Sequence, residues 1–220
     1  QNNWITRNLV VAGNFNLTNV DELFDVLLEL GQHPKEKSDT VTVLEKIGHF
    51  LDNENQQLFD DLKGKGLTNQ EITLKIAEKL DLERILKRAS NDWDGGYAMA
   101  GLFGHGDAFV LRDPAGIRPA FWYEDEEIVV VASERPVIQT AFKLKREQIK
   151  ELAPGHALII KKSGSVNEVL INEPTEELQC SFERIYFSRG NDASIYEERK
   201  NLGNNVVPKV LEAINNDLDN

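Results

Sequence analysis

Arg112-Asp113-Pro114-Ala115-Gly116-Ile117-Arg118-Pro119 joins two apolar stretches, Ala108 to Leu111 and Ala120 to Tyr123. It reads as a tight, charged connection between adjacent β-strands. Pro114 fixes φ at one position and Gly116 relieves the steric limit two residues later. The flanking Arg112, Asp113 and Arg118 are expected to tie the turn down as a local ion-pair network, a structural role and not a chemical one.

Outward from this turn the apolar runs are short and turn-bounded. Tyr97 to Phe103, Asp107 to Leu111, Ala120 to Tyr123 and Glu127 to Ala132 read as antiparallel strands. A short helix is expected over Arg135 to Phe142. His156 to Lys161 and Val166 to Ile171 resemble a hairpin around Ser163-Gly164, Glu173 to Gln179 a surface crossing, and Phe182 to Phe187 a further strand. Upstream the pattern is helical. Asn8 to Ala12 fits a buried strand, and Gly13-Asn14-Phe15-Asn16 a polar loop. A helix then starts at Asn19, with Glu22 completing a capping box and Gly31 placed to end it. A second helix is expected from Ser38-Asp39, with Val41, Leu44, Ile47 and Leu51 on one face, and a separate third over Glu54 to Leu62. After Gly64 and Gly66, Thr68 and Glu71 mark another start, and helix continues to about Ala89. From about Ser194 a last helix carries Tyr196, Leu202, Val206, Val210 and Ile214. That face needs something to pack on, so it reads as the opening of a following domain. Helices followed by antiparallel strands give an α+β or layered α/β class, not a doubly wound parallel sheet.

Lys+Arg 25 against Asp+Glu 37 leaves a net charge of −12. A nucleic-acid surface is excluded as a reading, because phosphate neutralisation needs clustered cations. No stretch approaches the roughly 20 apolar residues of a membrane span. Cys180 is the only cysteine, which rules out an intrachain disulfide and fits a reducing, cytoplasmic compartment. The first residue is Gln1, with neither an initiator Met nor a signal-peptide pattern, so a piece of a longer protein is expected.

Several motifs follow one another in a recognisable order: Asn14 to Asn19, Ser38-Asp39, Gly95-Gly96-Tyr97-Ala98, Arg112 to Pro119, Ala132-Ser133-Glu134 and Ala153-Pro154-Gly155. Phe182 to Arg189 and Tyr196 through Arg199 to Leu202-Gly203 complete it. Together they resemble the glutamine phosphoribosylpyrophosphate amidotransferase family, over nearly the whole chain. The resemblance implies an N-terminal-nucleophile glutaminase domain, a four-layer αββα sandwich, over residues 1–179. It implies the start of a phosphoribosyltransferase domain over residues 180–220. A whole enzyme of this kind hydrolyses glutamine and passes ammonia to phosphoribosyl pyrophosphate, giving phosphoribosylamine in purine synthesis. Its partners are those two substrates and further copies of itself as a homo-oligomer, with Mg2+ serving the transferase domain.

By the same resemblance, Asn14 donates its side-chain amide, and Phe15 its backbone N–H, to the oxyanion of glutamine hydrolysis. Asp39 binds the α-ammonium group. Cys180 matches a position that supplies one thiolate in the iron–sulfur subgroup, but four thiolates hold a cluster and a packing cysteine is the plainer reading. The bland alternatives are a loop Asn bonding its own backbone and an acid stabilising a helix N-terminus. His33, His49, His105 and His156 lack metal-ligand spacing and read as surface or loop residues.

The chain also departs from the pattern. Gln1 is no nucleophile, the Cys-Gly segment and the Arg-bearing strand that clamps the glutamine carboxylate are absent, and the phosphoribosyl pyrophosphate loop does not occur. Phe15 stands where glycine is expected, which restricts φ if that position needs glycine's freedom. The expectation is therefore a glutaminase domain cut at both ends and inactive alone. Two alternatives are another class II amidotransferase, of the glucosamine-6-phosphate synthase type, and a degenerate paralogue with a binding or regulatory role.

Overall fold

The structure is a computed structural model that describes residues 4–218. The chain divides into two compact units. Unit 1 comprises residues 1–120 and 151–179, and unit 2 residues 121–150 and 180–220.

Unit 1 is built on a five-stranded antiparallel sheet. Its strands are β1 (Leu9–Leu17), β2 (Gly95–Phe103), β3 (Ala108–Arg112), β7 (His156–Ile160) and β8 (Val166–Leu170), in the order β1-β2-β3-β7-β8. Four helices follow β1: α1 (Val20–Glu29), α2 (Asp39–Lys63), α3 (Asn69–Lys79) and α4 (Leu82–Ser90). Their apolar faces meet one side of the sheet in a single core. Leu23, Val43, Ile47, Ile72, Ile76 and Leu86 of the helices join Tyr97, Met99, Phe103 and Phe109 of the strands.

The cap chemistry does much of the local work. Ser38 accepts from Val41 N–H at the start of α2. Thr68 and Glu71 form the reciprocal capping box of α3, and Asp81 accepts from Arg84 N–H to open α4. Gly31, at φ +79°, turns the chain out of α1. Asn19 departs from expectation: its side chain makes no cap. It instead donates to Asp92 O and accepts from Asp94 N–H, tying the start of α1 to the turn before β2.

Two element boundaries correct the sequence reading. The expected loop at Gly13–Asn16 is strand, because β1 pairs with β2 along its full nine residues. Gly95, at φ +131°, makes this close approach possible, since a side chain there would run into Asn16 O. The second correction joins two expected helices into α2, a single helix of 25 residues. Glu54 and Asn55 interrupt the apolar period, yet both are buried and partnered. Asn55 donates to Thr6 O (3.2 Å) and Leu51 O (2.8 Å), and Glu54 faces Arg84 at 3.5 Å.

Unit 2 holds β4 (Phe121–Glu124) and β5 (Val129–Ala132), antiparallel to each other, in a three-stranded sheet ordered β5-β4-β6, with β6 at Lys150–Glu151. Its helices are α5 (Arg135–Phe142), as expected, and α6 (Ala193–Ala213). Residues Glu183–Phe187 form a wide helical turn and not the expected strand. Arg199 holds that turn by donating to the carbonyls of Arg184, Ile185 and Ser188. Along α6, Leu202, Val206 and Val210 are exposed.

Residues 112–119 therefore do not join neighbouring strands. β3 pairs with β2 and β7, whereas β4 pairs with β5, so the run carries the chain from one sheet to the other.

Candidate functional site

The signature turn is a saturated structural element. Asp113 is fully buried and its carboxylate accepts four backbone N–H groups. Oδ1 takes those of Ala115 (3.1 Å) and Ile117 (2.8 Å), and Oδ2 those of Arg118 (3.0 Å) and Tyr97 (3.3 Å). The Arg112 guanidinium, also buried, donates to the carbonyls of Gly116, Arg118 and Leu152 and meets Glu151 at 3.0 Å. Where an ion-pair network was expected, the Arg112 and Asp113 side chains chiefly serve backbone groups, which a tight buried loop cannot otherwise satisfy.

β1 is the opposite case. It is the last strand of its sheet among the described residues. Gly104 N–H donates to Asn8 O (2.8 Å) and Thr18 N–H to Asp94 O (2.9 Å), at the two ends of the pairing with β2. Antiparallel ladders alternate, so the even-numbered residues of β1 turn their N–H and C=O toward β2. The odd-numbered ones, Leu9, Val11, Gly13, Phe15 and Leu17, turn theirs to the side away from β2. Side chains alternate independently of this between the two faces. Phe15 packs against the core, while Asn14 projects from the other, exposed face.

Phe15 therefore presents its N–H outward with its ring anchored inward. It is absent from the residues of positive φ, so this backbone does not require glycine, and the restriction expected from Phe15 does not arise. Asn14 and Phe15 together offer a side-chain amide and a backbone donor on adjacent residues.

Asp39 is the first residue of α2, half-buried, with its carboxylate accepting from Thr40 N–H at 2.9 Å. α2 packs against β1. Lys46 lies two turns further along the same side of the helix, buried and 3.4 Å from Asp92. Asp92 and Asp94 in turn meet Asn19 and Thr18, which follow β1 directly. A polar network thus fixes the end of β1 against α2. Cys180 is half-buried, with no disulfide, and belongs to unit 2. Gln1 lies outside the described residues. Among the described residues no group of three or more His, Cys, Asp and Glu could hold a metal ion.

The sequence reading missed one charged cluster. His105, expected at the surface or in a loop, is buried in the β2–β3 turn. Its Nε2 lies 3.1 Å from Asp107, which also pairs with Lys161 and accepts from Lys162 N–H at 2.8 Å. Burial alone would raise the Asp107 carboxyl. The Lys161 ammonium, the Lys162 N–H and His105 outweigh it and hold the carboxyl below its usual range. Lys161 also donates to Leu80 O, so this cluster ties two strand turns to the end of α3. A His-Gly-Asp turn opposite a Lys-Lys turn is the signal that could have found it.

Amidophosphoribosyltransferase of Escherichia coli (strain K12) is 29% identical over 213 residues, 92% of this chain and 38% of the relative. That of Pseudomonas aeruginosa is 27% identical over 223 residues, 96% of this chain and 40% of the relative. Among solved structures, the glutamine phosphoribosylpyrophosphate amidotransferase from B. subtilis, complexed with ADP and GMP, superposes with a TM-score of 0.59 at 25% identity. That match covers 87% of this chain and 34% of the other. The chain is similar to amidophosphoribosyltransferases over most of its own length. It spans about 40% of the length of these relatives. No family model matches it. The α+β class of the N-terminal-nucleophile hydrolase type, expected from the sequence, is the class of this amidotransferase-like chain. No helix among the described residues is long and apolar enough to cross a membrane.

Proposed function

We propose that the chain is part of a glutamine-dependent amidophosphoribosyltransferase, with the glutaminase domain in residues 1–179 and the start of the transferase domain in residues 180–220. The whole cytoplasmic enzyme hydrolyses glutamine and delivers ammonia to phosphoribosyl pyrophosphate, as a homo-oligomer, with Mg2+ at the transferase site. In the glutaminase step a thiolate attacks the side-chain amide carbon of glutamine, the nitrogen takes up a proton and leaves as ammonia when the tetrahedral intermediate collapses, and water then cleaves the glutamyl thioester to glutamate and the free thiol. Asn14 and Phe15 donate to the oxyanion, each such donor being worth about 3 kcal/mol in the transition state. Asp39 pairs with the α-ammonium group and selects the free amino acid. Cys180 lies deep in the chain and does not serve as the thiolate. As one thiol of the four a cluster takes, it does not by itself fit an iron–sulfur site either.

The observation that carries this reading is the outward N–H of Phe15 beside the exposed amide of Asn14, on a strand that α2 and Asp39 flank. The relatives favour it over a sugar-phosphate amidotransferase.

Two measurements test it. Titration of the labelled chain with millimolar glutamine should shift the NMR signals of the Asn14 side-chain amide, the Phe15 N–H and Asp39. Asp39→Asn should weaken that binding about tenfold or more, the ~1.4 kcal/mol of one charge-assisted contact. The chain alone should release no ammonia. Glutamine that leaves these three groups unmoved, or ammonia release in proportion to chain concentration, would overturn the assignment.

A further inference from the structure

We propose that Lys46 and Asp92 are a positioning pair for the candidate glutamine site, fixing α2, and Asp39 with it, against the end of β1. The proposal rests on the glutaminase reading and adds to it two residues that touch no substrate.

Lys46 is out of character where it stands. Thr42, Val43 and Ile47 beside it on α2 are fully buried, and its own side chain is only 2% exposed. Packing alone calls for an apolar residue there, since a buried ammonium is costly to desolvate. Nor does stability call for the charge, because an apolar replacement of a buried ion pair often serves as well or better. What the charge supplies is direction. Val43 and Ile47 share a core with Leu17 and Leu23, which hold the two ends of the turn between β1 and α1. Such apolar contact sets the offset of helix on strand less sharply than a directed polar contact does.

The directed contacts form a chain. Lys46 meets Asp92 Oδ2 at 3.4 Å, and Asn91 Nδ2 donates to Asp92 Oδ1 at 2.8 Å. Asn19 donates to the Asp92 carbonyl at 2.8 Å and accepts from Asp94 N–H at 3.2 Å. Thr18 N–H donates to the Asp94 carbonyl at 2.9 Å, and Thr18 Oγ1 to the Asp94 carboxylate. The residues that follow β1 are thus clasped by residues 91–94, and Lys46 fastens that clasp to α2. Before β1 begins, Asn55 of the same helix donates to Thr6 O. The strand is therefore tied to α2 on both sides of the oxyanion donors.

The placement gives the clasp its leverage. Asp39 lies about 10 Å of helix before Lys46, on the same side. Phe15 lies about 10 Å of strand before Thr18. A shift at the clasp moves the ammonium-binding carboxylate relative to the oxyanion donors, and about 1 Å of misplacement can cost about a hundredfold at a reacting centre. Lys46 is too deeply buried to meet a ligand, so its effect on glutamine runs through these contacts.

Glutamine titration of the labelled chain, followed at the Phe15 N–H and Asp39, should show binding about tenfold weaker in Lys46→Met. Removing a cation leaves the site more negative, which by charge alone would favour an ammonium group, so a loss reports position. The urea midpoint of Lys46→Met should hold or rise, so that affinity and stability part company. Asp92→Ala, at a side chain 59% exposed, should weaken binding by a similar factor, and it keeps the test valid should Lys46→Met not fold. The double variant should lose no more than either single one. Without glutamine, exchange of the Thr18 amide should quicken about tenfold in both variants while that of Ala100 in β2 stays unchanged. Unchanged affinity in either variant, losses that add in the double variant, or a loss of stability in Lys46→Met as large as its loss of affinity would overturn the pairing. A parent chain in which glutamine leaves Asn14, Phe15 and Asp39 unmoved would overturn the glutaminase reading, and this proposal with it.

Discussion

The turn at Arg112–Pro119 and the strand at Leu9–Leu17 are physically opposites. In the turn Arg112 and Asp113 are both buried and engaged with backbone, and Asp113 alone satisfies four N–H groups. On β1 the side of the backbone away from β2 meets no other strand among the described residues. A motif dense with Arg and Asp thus holds the fold, while the proposed oxyanion donors lie on a neutral strand of Val, Ala, Gly and Asn. Charge density in a sequence marks where polar groups are needed; it does not say whether solvent, substrate or the chain itself needs them.

The contrast is sharpest at Asp113. Asp113→Ala would strand four donors in a buried loop and should destabilise the chain by about 4 kcal/mol or more, read from urea unfolding. A loss under about 1 kcal/mol would mean the turn holds itself and the comparison fails. The next effect belongs to Asp107, also buried and multiply paired. Its lowered carboxyl contributes stability that is complete above about pH 4, the ordinary carboxylate range, and is lost as pH falls through the lower folded value. Asp107→Asn should cost about 3 kcal/mol near neutrality by leaving Lys161 unpaired, and should flatten the acid limb of the stability curve.

Smaller effects follow where solvent can substitute. Thr68→Ala, which removes the capping box of α3, should cost about 1 kcal/mol in the same unfolding assay. At the far end of the scale, Val10→Lys on β1 should change unfolding of the chain by no more than about 0.5 kcal/mol. A large loss there would show that the exposed face of β1 is already in use.

Much of the architecture is legible because caps and glycines act locally. Thr68–Glu71, Ser38 and Gly31 set helix ends through groups within a few residues, and α5 begins and ends where its sequence says. The misreadings share a different cause. Gly13 to Asn16 carries turn chemistry, and only β2, some eighty residues later, holds it extended. Glu54 and Asn55 look like a break because their partners, Arg84 and the Thr6 carbonyl, come from distant segments. Phe182 to Phe187 has strand composition, but Arg199 claims its carbonyls. His105 reads as exposed until Asp107 and the Lys161–Lys162 turn close over it. Of the proposed site, Asn14, Phe15 and Asp39 come from the sequence's resemblance, whereas the outward direction of the Phe15 N–H follows only from the parity of a ladder with β2.

The excursion of the chain between β3 and β7 bears on its birth at the ribosome. β3 must lie against β7, yet Ala108 meets Ile160 only after more than fifty further residues have been synthesised. Through that interval the Ala108–Arg112 strand is an uncovered border beside β2. A nascent chain paused between the two segments exposes that margin. Translation stalls placed there, and not earlier or later, are where holdase chaperones should find this polypeptide.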